Sequence, residues 1–204
     1  MQKEQSDDPQ VVKYRISYLD PATRLRADCY ATGFREFNTV EWVMNFTNTS
    51  SENSDTLELV RVADYTMETA DEGDFKLLYA EGSYGSRADF RPILTELGAG
   101  DSIRMAPENG RSSDRTAFPF FNLESPDKKG VVVGIGWTGG WYATLSRSGK
   151  AATLNSGMEK MKLYLRPGES IRTPRICMLF WQGNDPMDGN NRFRRFMLAH
   201  HTRK

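Results

Sequence analysis

Apolar and polar residues alternate along most of this chain, and the alternation starts early. Residues 12–19, "VKYRISYL", and 24–31, "RLRADCYA", switch sides residue by residue. The stretch "TVEWVMNFTNTS" then places Val40, Trp42, Met44 and Phe46 on one face of an extended segment. A period of two marks a strand with one buried face. Turn-forming clusters interrupt the runs at short intervals: "TNTSSENSD", "ADEGD", "EGSYGSRAD", "GAGD", "PENGRSSD", "SPDKKG" and "RPGE". Many short strands between such clusters predict a β-sandwich rather than alternating strands and helices. No internal repeat and no linker divides the pattern. The longest loop-like break, residues 107–114, is followed by more strand.

The last segment breaks the habit. "NNRFRRFMLAHHTRK" sets Phe193, Phe196, Met197 and His200 at i, i+3, i+4 and i+7, the stripe of an amphipathic helix, with Asn190 or Asn191 available to cap it. A β-rich chain that ends in one basic helix reads as an exit toward another domain. The expected organisation is a polar tail over 1–10, a β-domain over 11–189 and a linking helix over 190–204.

Charge and composition narrow the partners. The 204 residues carry 27 basic and 27 acidic side chains, a balance unsuited to neutralising phosphates or sitting on anionic lipid, so neither nucleic acid nor membrane is expected. The one asymmetry is terminal: Arg192, Arg194, Arg195, Arg203 and Lys204 follow Asn191 with no acid among them. No run approaches the ~20 apolar residues of a membrane span, and the polar start "MQKEQSDDPQ" is not a signal peptide, which leaves the compartment open. Cys29 and Cys177 are too far apart for a metal-binding spacing and read as two buried free thiols. Asp185 and Asp188 lie close together in "GNDPMDGNN", but the spacing and terminal Glu of a calcium loop are missing. With His200 and His201 both in the terminal helix, no nucleophile–histidine pair stands out.

One motif invites a cofactor. Gly134-x-Gly136-x-x-Gly139 matches a dinucleotide fingerprint, in which the third glycine opens a helix whose N-terminal amides receive a pyrophosphate. Here "WYATL" follows Gly139-Gly140, and its aromatics and threonine prefer a pleated surface. The expectation is a hairpin, with strands over 131–137 and 141–145 around a Thr-Gly-Gly turn, and no cofactor. Trp137 and Trp141 would then flank a tight turn. Two indoles at one sheet end suit the C–H faces of a sugar ring; the competing reading makes both tryptophans core or interface residues.

Five stretches, in order, resemble the N-terminal β-domain of glycoside hydrolase family 36 α-galactosidases: "TVEWVMNFTNTS", "GRSSDRTAFPFFNLE", "GVVVGIGWTGGW", "LRPGESIRTPRICMLFWQG" and "NRFRRFMLAHHTRK". The resemblance spans nearly the whole chain. It implies a large two-sheet antiparallel supersandwich of the galactose-mutarotase type, then a linking helix, then a catalytic (β/α)₈ barrel. The family's two catalytic aspartates lie on that barrel, which needs about 250 residues, so none is assigned here. Where familiar members often carry His and Asn, "SSDRTAFPF" holds Asp114, Arg115 and Thr116. "WTGGW" likewise lacks the more usual polar residue before its second tryptophan.

The resemblance therefore implies a non-catalytic domain of an α-galactosidase-like hydrolase that supplies scaffold, subunit contacts or an edge of the galactoside cleft. Its partners would be a barrel beyond Lys204, an α-galactoside bound by the parent enzyme, and other copies in a homo-oligomer. The candidate sugar contacts are Trp137, Trp141, Asp114 and Arg115. A free-standing carbohydrate-binding module built on Trp137 and Trp141 is the alternative, and a purely structural interaction domain is a third.

Overall fold

The computed structural model describes residues 2–4, 6 and 8–202. Fourteen strands and one helix follow one another: β1 (Gln2–Glu4), β2 (Val11–Leu19), β3 (Leu25–Phe34), β4 (Thr39–Asn48), β5 (Val60–Glu68), β6 (Phe75–Ala80), β7 (Pro92–Leu97), β8 (Ser102–Met105), β9 (Phe120–Glu124), β10 (Lys129–Gly136), β11 (Trp141–Ser148), β12 (Ala151–Met158), β13 (Ser170–Arg172), β14 (Arg175–Gln182) and α1 (Pro186–His200). Ten strands form a large sheet in the order β1-β2-β3-β4-β14-β10-β9-β6-β7, with β13 paired to β4 beyond the end of β14. The order of the four-stranded sheet is β5-β12-β11-β8. All pairings are antiparallel.

The main core lies between the sheets. Val131, Val133 and Ile135 of β10 and Ile176 and Met178 of β14 meet Trp141, Ala143 and Leu145 of β11 and Leu154 of β12 there. The large sheet is also covered on its other side. Val132, Cys177, Leu179 and Trp181 point outward into a second cluster closed by Phe196 of α1 and Phe34 of β3. Burial on both faces is why "VVVGIG" and "ICMLFW" are continuous apolar runs instead of alternating ones.

Three boundaries differ from the sequence expectation. The polar start contains β1, which pairs with β2 through Lys3↔Tyr14. Residues 157–165, "GMEKMKLYL", alternate as a strand would, yet strand does not continue through them: β12 stops at Met158, Lys160 takes φ +51°, and within the stretch only the isolated bridge Leu57↔Leu163 follows. The helix starts at Pro186, four residues before Asn190. Its cap is Asp185, whose carboxylate accepts from the Met187 N–H at 2.8 Å, with Pro186 in the first turn. Arg203 and Lys204 lie outside the described residues, and with them the direction in which the chain leaves.

The expected hairpin at the glycine motif is the largest correction. Both strands exist, but β10 pairs with β14 and β9 in the large sheet, while β11 pairs with β12 and β8 in the small one. Residues 137–140 are thus an arch from one sheet to the other. The third glycine of the motif leads into strand β11.

Candidate functional site

The arch lies at one end of the sandwich, where two long loops meet it. Trp141 opens β11 and is fully buried; its indole N–H donates to the Ser112 carbonyl at 2.7 Å, so the ring anchors the loop between β8 and β9. Trp137 is half-buried, packs against the main core and has the Arg172 guanidinium 5.8 Å from its ring centroid. A pair of open indoles is therefore not formed. Trp141 is a core residue, because closing the sandwich places the first residue of β11 between the sheets.

Asp114 organises the same loop from inside. Its carboxylate accepts from the N–H groups of Glu108 (2.8 Å), Asn109 (3.2 Å) and Thr116 (2.9 Å), from the Asn109 side chain (3.3 Å) and from the Thr116 hydroxyl (2.6 Å). Burial pushes this carboxyl up, but the Thr116 hydroxyl and the three backbone donors outweigh it and hold the pKa at about 2. The Asp114 carbonyl in turn accepts from Gly82 N–H at 2.8 Å. A Cβ on Gly82 would sit 2.3 Å from that oxygen, so only glycine allows the two loops to approach so closely.

The partner loop, 82–91, is fastened by a second aspartate. Asp89 accepts from the Ser83 and Ser86 hydroxyls and from the N–H groups of Tyr84, Gly85 and Ser86, which keep its carboxyl well below the usual range, the Ser83 hydroxyl most of all. Arg115 donates to the Tyr84 hydroxyl, lies 5.0 Å from that ring centroid and approaches Glu108 to 3.7 Å. The structure thus brings Asp114, Arg115 and Trp141 into one loop clamp. Arg115 and Tyr84 are its solvent-facing members; Asp114 and Trp141 are spent on holding it together.

The outer face of the large sheet carries what the sequence reading missed. Glu41, which alternation places on the polar side of β4, is 3% exposed. Its carboxylate lies 2.7 Å from His201 Nε2 and accepts from Arg175 at 3.1 Å, tying the end of α1 to the sheet. Burial, and then the neighbouring Glu41 charge, push the Cys177 thiol far above its ordinary range, so it is chemically quiet. At the other end of α1 the Trp181 indole donates to Asn122 Oδ1 at 2.8 Å, and the Asn122 amide donates to the Pro186 carbonyl at 2.9 Å. Gly189 and Gly130 approach the indole so closely that a Cβ on either would lie 2.5 or 2.2 Å from the ring.

Beside α1 a ladder of phenylalanine rings crosses this face. Phe90, Phe118, Phe120, Phe193 and Phe196 stack in sequence at centroid distances of 5.1, 5.1, 5.7 and 6.3 Å. The middle rungs, Phe118, Phe120 and Phe193, line an open cavity of about 460 Å³, with Leu78, Met187 and Met197 on its walls. Leu94, Leu198, Phe90 and Met187 stand 58, 54, 49 and 48% exposed. A continuous apolar face of this kind marks a surface that is covered in function. The sequence signal was present in "TAFPFF", which supplies aromatic side chains to both faces of β9.

Among the described residues no group of three His, Cys, Asp or Glu side chains is placed to hold a metal ion, and no helix is long and apolar enough to cross a membrane. Asp185 and Asp188 are taken up as cap and first-turn residue of α1.

No protein-family model matches the sequence, and no curated protein matches it. Solved structures do match the fold. An α-galactosidase from Lactobacillus brevis superposes with a TM-score of 0.77 at 16% identity, over 97% of this chain and 26% of its own. The family 36 α-galactosidase AgaA from Geobacillus stearothermophilus gives 0.69 at 20% identity, over 86% and 24%. The α-N-acetylgalactosaminidase NagBb from Bifidobacterium bifidum gives 0.57 at 12%, over 98% and 30%. The fold is that of the N-terminal β-domain of glycoside hydrolase family 36 α-galactosidases, and this chain spans about a quarter of their length.

Proposed function

We propose that this chain is a non-catalytic β-domain of an α-galactosidase-like glycoside hydrolase, whose work is to carry and orient a catalytic barrel joined through α1. The observation that carries this reading is the match of nearly the whole chain to a quarter of several α-galactosidase chains. Two features of the molecule support it. Its buried acids serve the fold: Asp28 meets Arg15 and Arg26, Glu41 meets Arg175 and His201, Glu124 meets Lys128, and Asp114 holds its loop. The apolar face beside α1 is a docking surface for the barrel, because an exit helix pinned to it brings the following domain against the same side. In the isolated chain that face stays bare and favours self-association.

A sugar-binding module built on paired indoles gains no support, since Trp141 offers no open ring. Trp137, with Arg172 over its ring, and the exposed Arg115 are left as candidates for the edge of a cleft completed by the barrel.

The test is to assay the isolated chain on an aryl α-galactoside and on melibiose, and to measure light scattering over a concentration series. No turnover and concentration-dependent association are expected. Turnover that survives repurification and vanishes on mutating an acid of this chain would overturn the reading, and a strict monomer would remove the bare docking face.

A further inference from the structure

A second cavity, away from the loop clamp, lies where β4 falls short of β14. Strand pairing between them ends at Leu179↔Thr39; the Phe180 N–H still donates to the Asn38 carbonyl at 3.0 Å, and Trp181 and Gln182 continue against β10. The space left open is about 410 Å³, and Asn38, Tyr65, Glu68, Phe180, Gln182 and Arg192 line it. They come from the β3–β4 turn, the small sheet, the large sheet and the helix, so the cavity exists only in the assembled domain.

Its polar groups are unspent. Among the described residues, the side chains of Asn38, Tyr65, Glu68, Gln182 and Arg192 make no hydrogen bond or ion pair to the rest of the chain, and Asn38, Glu68 and Gln182 are exposed to water. Arg104, Arg147 and Arg175, by contrast, each meet a carboxylate. Arg192 and Tyr65 are half-buried, and burial pushes the Tyr65 phenol up. A half-buried guanidinium and phenol with no partner leave bonding capacity that a ligand can use.

We propose that this notch binds a neutral polyhydroxylated ring of monosaccharide size. Arg192 and Tyr65 donate, Glu68 accepts, and the amides of Asn38 and Gln182 do both, a mixture that matches hydroxyl groups. The charges cancel, since Lys129 at the rim is engaged by Asp127 at 2.6 Å and Arg192 faces the same space as Glu68. An anion would gain Arg192 but meet Glu68, and an apolar ligand would strip five polar side chains of water without replacement. Tyr65 and Phe180, edge to face with centroids 5.8 Å apart, supply an apolar wall for the ring's C–H groups. This site does not depend on the scaffold reading: it stands whether or not a barrel follows, and its failure leaves that reading untouched.

The experiment is an amide NMR titration of the full chain with D-galactose, with D-glucose and sodium phosphate run in parallel. Saturable shifts confined to residues 38, 65–68, 180–182 and 192 are expected with a hexose. Arg192→Ala should weaken binding about fivefold and Tyr65→Phe about threefold, as for single hydrogen bonds. Glu68→Gln, which alters the small sheet and leaves the sequence of α1 untouched, should weaken it similarly, which separates loss of a contact from a loosened helix. No saturable shift with either hexose, saturation by phosphate alone, shifts gathered at Trp137 and Asp114, or binding undiminished in all three variants would overturn the proposal.

Discussion

The loop clamp and the outer face of the large sheet solve opposite problems. At the clamp, irregular backbone is made rigid by polar groups: Asp89 and Asp114 each collect five donors, and Trp141 reaches across to the Ser112 carbonyl. Little capacity is left over for a ligand. At the outer face, polar groups pin the two ends of α1, through Trp181–Asn122 and Glu41–His201, while aromatic rings between and beside them stay open. Residues that look chemically rich in a sequence can be the ones most completely consumed by structure. A surface that makes contacts is recognised by what it leaves unsatisfied.

The sharpest way to break this contrast is at Trp141. If the indole belongs to the core, Trp141→Ala should cost about 3–5 kcal/mol, measured by denaturant unfolding, and added galactose should leave the difference between variant and wild type unchanged. A stable variant would return Trp141 to the list of surface residues and dissolve the clamp.

On the other face, Gly189→Ala tests how tightly α1 is seated. In an exposed helix this change stabilises by about 1 kcal/mol. Here the new Cβ would lie 2.5 Å from the Trp181 indole, so a loss of about 1–3 kcal/mol is expected, with faster hydrogen exchange across α1. A gain in stability would mean that the helix is only loosely docked.

Acid should separate the two regions. Asp114 has its pKa held at about 2, below the ordinary Asp value, so its contribution is fully present above pH ~4 and is lost as the pH falls toward 2. The expected loss is at most about 2 kcal/mol, and Asp89, shifted further in the same direction, goes on losing its contribution at still lower pH. Exchange of the Glu108, Asn109 and Thr116 amides should rise over that interval and should not in Asp114→Asn, which has no charge to lose. Equal opening of α1 and the clamp would deny them separate stabilities.

The smallest effect belongs to Arg115. Exposed beside Tyr84, it should change stability by no more than about 0.5 kcal/mol on mutation to Ala. A loss well above that would make Arg115 part of the clamp's frame.

The strands themselves were legible in the chain, because a period of two follows from backbone geometry alone and needs no knowledge of neighbours. So was the terminal helix, through the stripe from Phe193 to His200. Its start was missed: Asp185-Pro186 is an N-cap and first-turn pair, but the poor helix formers Asp188, Gly189 and Asn190 that follow hide it. Alternation states which side chains share a face; it does not say which strand lies alongside or what covers the far face. Residues 137–140 read as a hairpin because two strand patterns flanked a glycine turn. Only assembly of the two sheets, with Trp141 drawn between them, made that turn an arch. Alternation puts Glu41 on the face opposite Val40 and Trp42, the face a half-buried strand turns to solvent. Only the return of α1 over the sheet buried it against His201. Local sequence determined the elements, since their rules act within a few residues. Partners, burial and unspent bonding capacity arise from contacts more than a hundred residues apart, such as the 134 that separate Glu41 from Arg175, and those the tertiary structure alone decided.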